Sequence, residues 1–436
     1  MRNLILLLFV FPFLSWAQVE QARMHVEKLC SPDFHGRGYV KNGDKIAAEY
    51  IAEQFAEIGC STVANGPFQE FQFPVNAFPG RMSFSINDKK LMPGTEFVVD
   101  PGSKGGEVTN LQLLDLTPEE VFDAKKLKNR IAQINMEKGG RSKQQLALMF
   151  STWNLKGDSL KQVKKLMREM VTTFPIVEVV DDKFTWSVEQ EQFNNPFIQV
   201  QLSALKLQVS NTISYDIEAI VKDHTARNVI AYVPAKKKSK KYIVFTAHYD
   251  HLGRMGSEAY FPGGNDNASG VAMLIELARY YKANPLDVNV VFIAFAGEEV
   301  GLLGSKYFTE NPVFPLENIQ FLFNTDIMGS GEDGVTIVNA TLFPKHFELL
   351  QQINTANNYV VKVGSRGPAA NSDHYFFTEK GVPAFFMYTM GPNKHYHDVG
   401  DTYENLSFAE FNDLFGLLTK FGTQVSGKAY KRSKKK

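Results

Sequence analysis

Residues 242–250 read Tyr-Ile-Val-Phe-Thr-Ala-His-Tyr-Asp, an apolar run of strand-forming residues that ends in an imidazole and a carboxylate. Two later runs have the same design: residues 288–295 lead into a pair of glutamates, and residues 321–324 lead into an aspartate. Continuous apolar runs that alternate with helical patterns are typical of a largely parallel sheet covered by helices. Ligands bind such sheets beyond the carboxyl ends of the strands. We therefore expect these charged side chains to meet in one crevice.

The same texture extends over residues 218–428 and predicts an α/β fold, a three-layer α/β/α domain with a central mixed, largely parallel sheet. The strand candidates are residues 229–233, 242–247, 288–295, 321–324, 335–338 and 384–388. The helix candidates are residues 267–282, 301–309, 344–357, 372–380 and 407–425.

The remaining sequence divides into segments of different texture. Residues 18–60 carry apolar side chains at helical spacing, whereas short β-rich runs separated by Pro and Gly turns fill most of residues 68–210. We therefore predict one domain built from residues 18–67 and 213–428, interrupted by a β-rich domain at residues 68–212. Residues 429–436 form a basic tail.

The first 17 residues have the pattern of a secretory signal peptide. Arg2 precedes an apolar run that ends near Phe11, and Ser15-Trp16-Ala17 supplies small residues for cleavage before Gln18. A membrane anchor is the alternative, but the run is shorter than the roughly 20 residues that span a bilayer. We expect export to the periplasm or the extracellular space, and no membrane span in the mature chain.

Composition limits both the partners and the sources of stability. The 436 residues include 47 basic and 47 acidic side chains, and this balance argues against nucleic acid as a partner. With 44% hydrophobic residues, the chain can bury a sizeable core.

Cys30 and Cys60 lie at the ends of two neighbouring helical stretches, so the sequence leaves open a disulfide between them or two free thiols.

The charged groups after the strands form a set of metal ligands. Two further segments join them: a glycine-rich turn that carries Asp266, and an imidazole-rich loop that carries His397. Zinc binds imidazole nitrogen and carboxylate oxygen, and one carboxylate can bridge two ions that together activate a water. We predict two Zn²⁺ per chain, one held by His248, Asp266 and Asp326 and the other by Asp266, Glu299 and His397.

Two carboxylates are left for other roles. Glu298 would accept a proton from the activated water and pass it to the leaving amine, as general base and acid. Asp250 lies two residues after His248 and would fix the tautomer and orientation of that imidazole. A lone histidine or a pair of glutamates is usually structural. Here, however, two adjacent acids follow an apolar run, and burying them without partners or a metal would be costly, so the set favours a metal site.

These motifs resemble those of the di-zinc exopeptidases related to bacterial leucyl aminopeptidases. The resemblance rests on Ala247 to Gly253, Asn265 to Gly270, Phe295 to Ser305, Asn324 to Gly329 and Ser372 to His374. It implies the same ligand roles, a peptide substrate and the zinc exopeptidase fold. It also implies that Tyr396 stabilises the oxyanion of the tetrahedral intermediate.

Residues 68–212 lie where many relatives carry an inserted protease-associated domain, so the β-rich insert is expected to be protease-associated-like. One departure from the family concerns the residue after the last ligand. Relatives often have threonine there, whereas this chain has Asp398 after His397. That substitution changes the electrostatics beside a ligand.

The sequence predicts an exported zinc aminopeptidase and leaves three alternatives. A carboxypeptidase or dipeptidase could use the same metal core. A glutaminyl cyclase would use one zinc, and the presence of both His248 and Asp326 argues against it. A metal-free binding protein is disfavoured because every ligand position is filled.

Overall fold

The computed structural model describes residues 11–63, 66–137, 146–208 and 210–427. The first ten residues of the expected signal peptide and the whole expected basic tail lie outside this range. The strands are β1 (Ser61–Thr62), β2 (Phe68–Ala77), β3 (Met82–Ile86), β4 (Lys89–Lys90), β5 (Phe97–Val99), β6 (Gly106–Asp115), β7 (Leu146–Ser151), β8 (Ile176–Val180), β9 (Phe197–Gln201), β10 (Asn211–Ile217), β11 (Ile220–Val233), β12 (Tyr242–His248), β13 (Arg254–Met255), β14 (Ala259–Tyr260), β15 (Asn289–Phe295), β16 (Ile319–Thr325), β17 (Gly334–Val338), β18 (Val363–Ser365) and β19 (Ala384–Met390).

The α-helices are α1 (Phe11–Cys30), α2 (Gly43–Ile58), α3 (Pro118–Phe122), α4 (Ala124–Glu137), α5 (Gly157–Met170), α6 (Gly270–Ala283), α7 (Leu303–Glu310), α8 (Pro344–Asn357), α9 (His374–Glu379) and α10 (Phe411–Gly427). The predicted strands and helices of the α/β part are all present, within a few residues at their ends, apart from β11, which begins nine residues earlier than predicted. None of the helices in the described range is both long enough and apolar enough to cross a membrane.

The larger sheet is mixed and has a parallel centre. Its strand order is β1-β11-β15-β12-β16-β19-β17-β18, with β2 also paired to β11. Strands β15, β12, β16 and β19 run parallel, whereas β11 and β17 are antiparallel to their neighbours β15 and β19. The fold is therefore a mixed α/β fold, as the sequence predicted.

Helices pack on both faces of this sheet because its central strands are apolar on both sides. On one face Phe245 and Phe292 lie in the core that also contains residues of α1, α2, α6, α8 and α10. On the other face Val244 and Phe295 pack with Phe308 of α7 and Phe377 of α9. Burying one such side chain stabilises the fold by roughly 1.5–3 kcal/mol, so the core fixes the register that positions the strand ends.

A second sheet has the order β4-β3-β10-β6-β7-β8-β9-β5, with β6 to β9 parallel. One face packs on α5 through Val163 and Met167. The opposite face shares a core with Leu252, Met255 and Phe261, which follow β12. The second sheet therefore lies directly against the loops beyond the main strand ends.

The limits of this second unit differ from the expected 68–212. Strand β2 (Phe68–Ala77) pairs along its length with β11 in the larger sheet, and β10, which extends to Ile217, belongs to the second sheet. Alternation of buried and exposed residues identifies a strand but does not reveal its sheet. The division of the chain into domains stays a prediction.

Both cysteines are free thiols. Cys30 ends α1 and is buried in the main core, where burial raises the pKa of its thiol to about 12. Cys60 lies just after α2 and is partly exposed. Of the two possibilities that the sequence left open, the structure has the unbridged one.

Candidate metal centre

Four of the predicted site residues lie at the carboxyl ends of three adjacent parallel strands, on one edge of the sheet. His248 is the last residue of β12, Glu298 and Glu299 follow the neighbouring β15, and Asp326 follows β16 on the other side. The registers of β12 with β15 and of β12 with β16 bring these ends level. The crevice expected beyond the strand ends is therefore formed.

Asp266 enters the crevice from the glycine-rich turn before α6. Gly263 begins that turn with φ at +60°, and a Cβ on it would lie 2.3 Å from the Asp266 carbonyl oxygen, so glycine is required. The buried carboxylate of Asp401 accepts hydrogen bonds from the backbone N–H groups of Asn265 and Asp266 at 2.9 and 3.0 Å. Burial raises the pKa of Asp401 to about 7, partly offset by these bonds.

The ligand atoms converge on the Asp266 carboxylate. His248 Nε2 lies 3.2 Å from Asp266 Oδ1 and 3.3 Å from Asp326 Oδ2. His397 Nε2 lies 3.0 Å from Asp266 Oδ2 and 3.2 Å from Glu299 Oε2. Asp266 thus presents one oxygen to each imidazole, which is the arrangement of a bridging carboxylate.

The electrostatics of the cluster favour positive charge at its centre. Burial opposes protonation of His397, but Glu299 and Asp266 raise its pKa to about 12. Burial likewise opposes protonation of His248, whose pKa is raised well above its usual value by Asp326 and Glu298. Asp326 Oδ1 is buried and has no hydrogen-bond partner among the described residues. Carboxylate oxygens and imidazole nitrogens are the donor set that zinc prefers, and Asp326 Oδ1 still has a lone pair to offer. These residues therefore fit the metal.

Two triplets of ligand atoms in the described chain come within 4.8 Å of one another: His248, Asp266 and Glu299, and His248, Glu298 and Asp326. The second triplet contains Glu298, which the sequence assigned as a free base. Glu298 makes none of the short contacts to an imidazole that the other carboxylates make. Burial raises its pKa well above the usual range, so this carboxylate binds a proton more readily than an exposed glutamate does.

Asp250 lies behind His248. Its carboxylate accepts hydrogen bonds from the backbone N–H groups of Glu298 and Glu299 at 3.2 and 3.3 Å, and from the Tyr39 hydroxyl at 2.5 Å. The backbone carbonyl of Asp250 lies 3.1 Å from His248 Nδ1. Asp250 therefore orders the glutamate loop as well as the imidazole, and only the second task was predicted.

His397 is oriented from a different part of the chain. Its Nδ1 lies 2.9 Å from the carbonyl oxygen of Trp186, in the segment between β8 and β9. The Tyr396 ring stacks on the His397 ring with centroids 4.0 Å apart and is 45% exposed. Tyr396 thus lies at the entrance, where a substrate could reach its hydroxyl.

A cavity of about 280 Å³ opens onto the cluster. Tyr396, Glu298 and the two imidazoles line it, together with Phe386, Tyr388 and Arg366. This volume suits one amino-acid side chain and its neighbouring peptide group. Arg366 is the unexpected residue here, because nothing in its sequence context marks it as part of the site.

Two other contributors escaped the sequence analysis. His251 Nδ1 lies 2.7 Å from Glu299 Oε1, so it orients that carboxylate, although the sequence gave no reason to separate it from other structural histidines. Arg37 is fully buried and donates hydrogen bonds to the carbonyls of Tyr249, Pro262 and Gly263. It therefore ties the end of β12 to the turn that carries Asp266.

Comparison with known sequences agrees with this geometry. Residues 228–421 match the profile of the family described as Peptidase family M28. The chain is 28% identical over 239 residues to Aminopeptidase YwaD of Bacillus subtilis, which covers 51% of this chain and 50% of that protein. A probable zinc metalloprotease of Pyrenophora teres f. teres is 29% identical over 220 residues, 49% of this chain and 45% of that protein. The matched segments thus span half or less of these relatives.

Solved structures extend the likeness to nearly the whole chain. BSAP, a zinc aminopeptidase from Bacillus subtilis, superimposes with a TM-score of 0.68 at 18% identity, covering 95% of this chain and 96% of that one. A peptidase M28 precursor from Shewanella amazonensis gives 0.64 at 16% identity, covering 97% and 98%. At these identities the likeness shows a shared fold.

Proposed function

We propose that this chain is a zinc aminopeptidase of peptidase family M28, whose profile residues 228–421 match, and that it removes N-terminal residues from peptides. The observation that carries the proposal is the position of the Asp266 carboxylate between two imidazoles, with one oxygen facing each. A bridging carboxylate of this kind is what a pair of zinc ions needs.

His248, Asp266 and Asp326 would hold one zinc ion, and Asp266, Glu299 and His397 the other. The bound ions would polarise the substrate carbonyl and lower the pKa of a water molecule. His251 and Asp250 keep the ligand side chains in place through their hydrogen bonds to Glu299 and to the glutamate loop.

Glu298 has the proton-transfer role in this proposal. Its side chain lines the cavity beside His248, and burial holds its pKa well above the usual range. It accepts a proton from the attacking water and returns that proton to the leaving amine. The Tyr396 hydroxyl, at the entrance of the same cavity, donates a hydrogen bond to the oxyanion that forms on the substrate.

The test uses one peptide set in three forms: unblocked, N-acetylated and C-amidated. Each form is incubated with the full chain, with added zinc or with a chelator, and the products are identified by mass spectrometry. The proposal predicts stepwise loss of residues from free N-termini alone, abolished by the chelator. Loss from the C-terminus would identify a carboxypeptidase, loss of one ammonia from N-terminal Gln a cyclase, and intact peptides throughout a binding protein or a narrow dipeptidase.

Arg366 supports a second candidate, a dipeptidase or carboxypeptidase. It lines the cavity, donates a hydrogen bond to the Tyr388 hydroxyl at 3.3 Å and forms no ion pair with a described acidic residue. A guanidinium whose other N–H donors remain available can bind the terminal carboxylate of a short peptide.

The role of Arg366 can be measured directly. If it binds a substrate carboxylate, Arg366→Gln should raise KM about 10-fold or more for free dipeptides and leave KM unchanged for their C-amidated forms. Equal KM changes on both forms would remove the support for this second candidate.

We also propose that the chain is exported and that the second sheet is a protease-associated-like insert. Cleavage after Ala17 would leave Ala22, Val26 and Leu29, the fully buried residues of α1, in the mature protein. N-terminal sequencing of the protein from the exported fraction should therefore start at Gln18. A start at Met1 would argue against export by this route.

A further inference from the structure

The segment between β8 and β9 leaves the second sheet and crosses to the metal centre. It begins after Val180 and returns at Phe197 without regular secondary structure of its own. Within it, the Trp186 ring stacks on Phe261 at a centroid distance of 4.6 Å, and its indole N–H donates to the Val99 carbonyl at 2.6 Å. We call residues 181–190 the strap.

The strap is anchored on the backbone of His397. Trp186 N–H donates to the His397 carbonyl at 2.9 Å, and the Trp186 carbonyl lies 2.9 Å from His397 Nδ1. The imidazole that faces Asp266 and Glu299 is thus held by its other ring nitrogen. Groups that fix a ligand imidazole in this way typically change metal affinity 10- to 100-fold when they are lost.

Lys183 fastens the strap to the loop that carries this imidazole. Its ammonium donates to the carbonyls of Lys394 and Tyr396 at 2.7 and 3.1 Å, and to Asp398 Oδ2 at 2.8 Å. Asp398, the residue that departs from the family pattern, also accepts from the backbone N–H of Tyr396 and from Gly400. The three donor positions of the ammonium therefore all have acceptors on one loop.

We propose that Lys183, paired with Asp398, is a positioning residue that sets His397 for metal binding. The proposal rests on the proposed zinc function of the site. Neither residue contacts the ligand atoms themselves; both act by holding the loop 394–398 against the strap, so that the Trp186 carbonyl stays in line with His397 Nδ1. Asp398, where relatives often have threonine, is then tolerated because its charge is paired with Lys183 of the strap.

The test compares zinc affinity in the full chain for Lys183→Met, Lys183→Arg and the wild type. A chelator competition resolves the two ions, with bound zinc counted by elemental mass spectrometry. Lys161→Met is the matched control, since Lys161, on α5, forms an exposed ion pair with Asp158 of the same helix. Lys183→Met should weaken one of the two ions about 10- to 100-fold and leave the other unchanged, and Lys183→Arg should recover most of the loss.

The metal-free proteins provide the structural control. Equal thermal unfolding of metal-free Lys183→Met and Lys161→Met would show that the affinity loss is local. If Lys183→Met does not fold, Asp398→Asn tests the same contact from the loop side and should also weaken one ion.

The outcomes separate the two proposals. Two wild-type zinc affinities that stay within twofold in Lys183→Met and Asp398→Asn would overturn this inference and leave the aminopeptidase proposal intact. A wild type that binds no zinc would overturn both.

Discussion

At the scale of single residues, two adjacent glutamates of the cluster make different contacts. Glu299 lies 3.2 Å from His397 Nε2 and 2.7 Å from His251 Nδ1, whereas Glu298 contacts no imidazole at such distances and faces the cavity. The sequence analysis assigned Glu299 as a ligand and Glu298 as the base, and the two residues make these different contacts from one turn, whose two backbone N–H groups donate to Asp250.

This difference predicts the effect of Glu298→Gln. The amide keeps the size of the side chain but cannot accept a proton, so kcat should fall at least about 100-fold while two zinc ions remain bound. Steady-state kinetics and elemental analysis on the same preparation would check both parts. Glu299→Gln is the contrasting variant and should lose zinc; retained turnover in Glu298→Gln would remove Glu298 from the mechanism.

The sequence analysis named the ligand candidates because they follow strands or lie in a glycine-rich turn and an imidazole-rich loop. It could not find the contact of His397 with the Trp186 carbonyl or that of Lys183 with Asp398. Each joins residues more than 200 positions apart, and nothing in the identity of these residues indicates that they meet. Arg366 was missed for a similar reason, because an arginine in a loop is usually an ordinary surface residue.

At the scale of elements, the strand runs were predictable because buried parallel strands need continuous apolar sequence. The sheet to which β2 belongs was not, because its alternating pattern fits either sheet. The sequence analysis did not identify Arg37, because its complete burial follows only from the loops that close around it.

Arg37 joins several elements, and its removal should cost stability. Arg37→Met would leave buried carbonyls of Leu29, Tyr249 and Pro262 without their donor, and each loss is worth about 1–3 kcal/mol. Urea denaturation of the zinc-free protein should show a loss of at least about 3 kcal/mol. Arg130→Met, which removes an exposed pair with Glu120, should cost about 1 kcal/mol or less, and equal effects would contradict the structural role of Arg37.

At the scale of the whole molecule, buried histidines make stability depend on pH, and His25 and His346 are two of them. Burial lowers the pKa of His25 and of His346 from 6.5 to about 4, with Arg279 also acting on His25. At these two residues the unfolded chain therefore binds more protons than the folded chain between pH 6.5 and 4. Their contribution to stability is complete above pH 6.5 and is lost as the pH drops through that window, by up to about 3 kcal/mol per histidine.

Chemical denaturation of the zinc-free protein at several pH values would measure this slope. In His346→Leu the decline between pH 6.5 and 4 should be shallower than in the wild type, because no imidazole at position 346 takes up a proton on unfolding. An unchanged slope would mean that His346 is not held neutral in the folded state.

The second sheet adds a feature that the larger sheet alone lacks. It supports the strap that reaches His397, so the orientation of this proposed ligand depends on a segment between two strands of the second sheet. Lys183 of the strap also pairs with Asp398, the residue that the sequence analysis found to change the electrostatics beside His397.

The count of zinc ions per chain tests the central claim most directly. Elemental mass spectrometry of dialysed full-length protein should find two zinc ions in the wild type, one in Asp326→Ala, and none or nearly none in Asp266→Ala, since Asp266 is the only described carboxylate that faces both His248 and His397. One zinc ion in the wild type, or equal losses in the two variants, would contradict a shared carboxylate and favour a single-metal enzyme such as a cyclase.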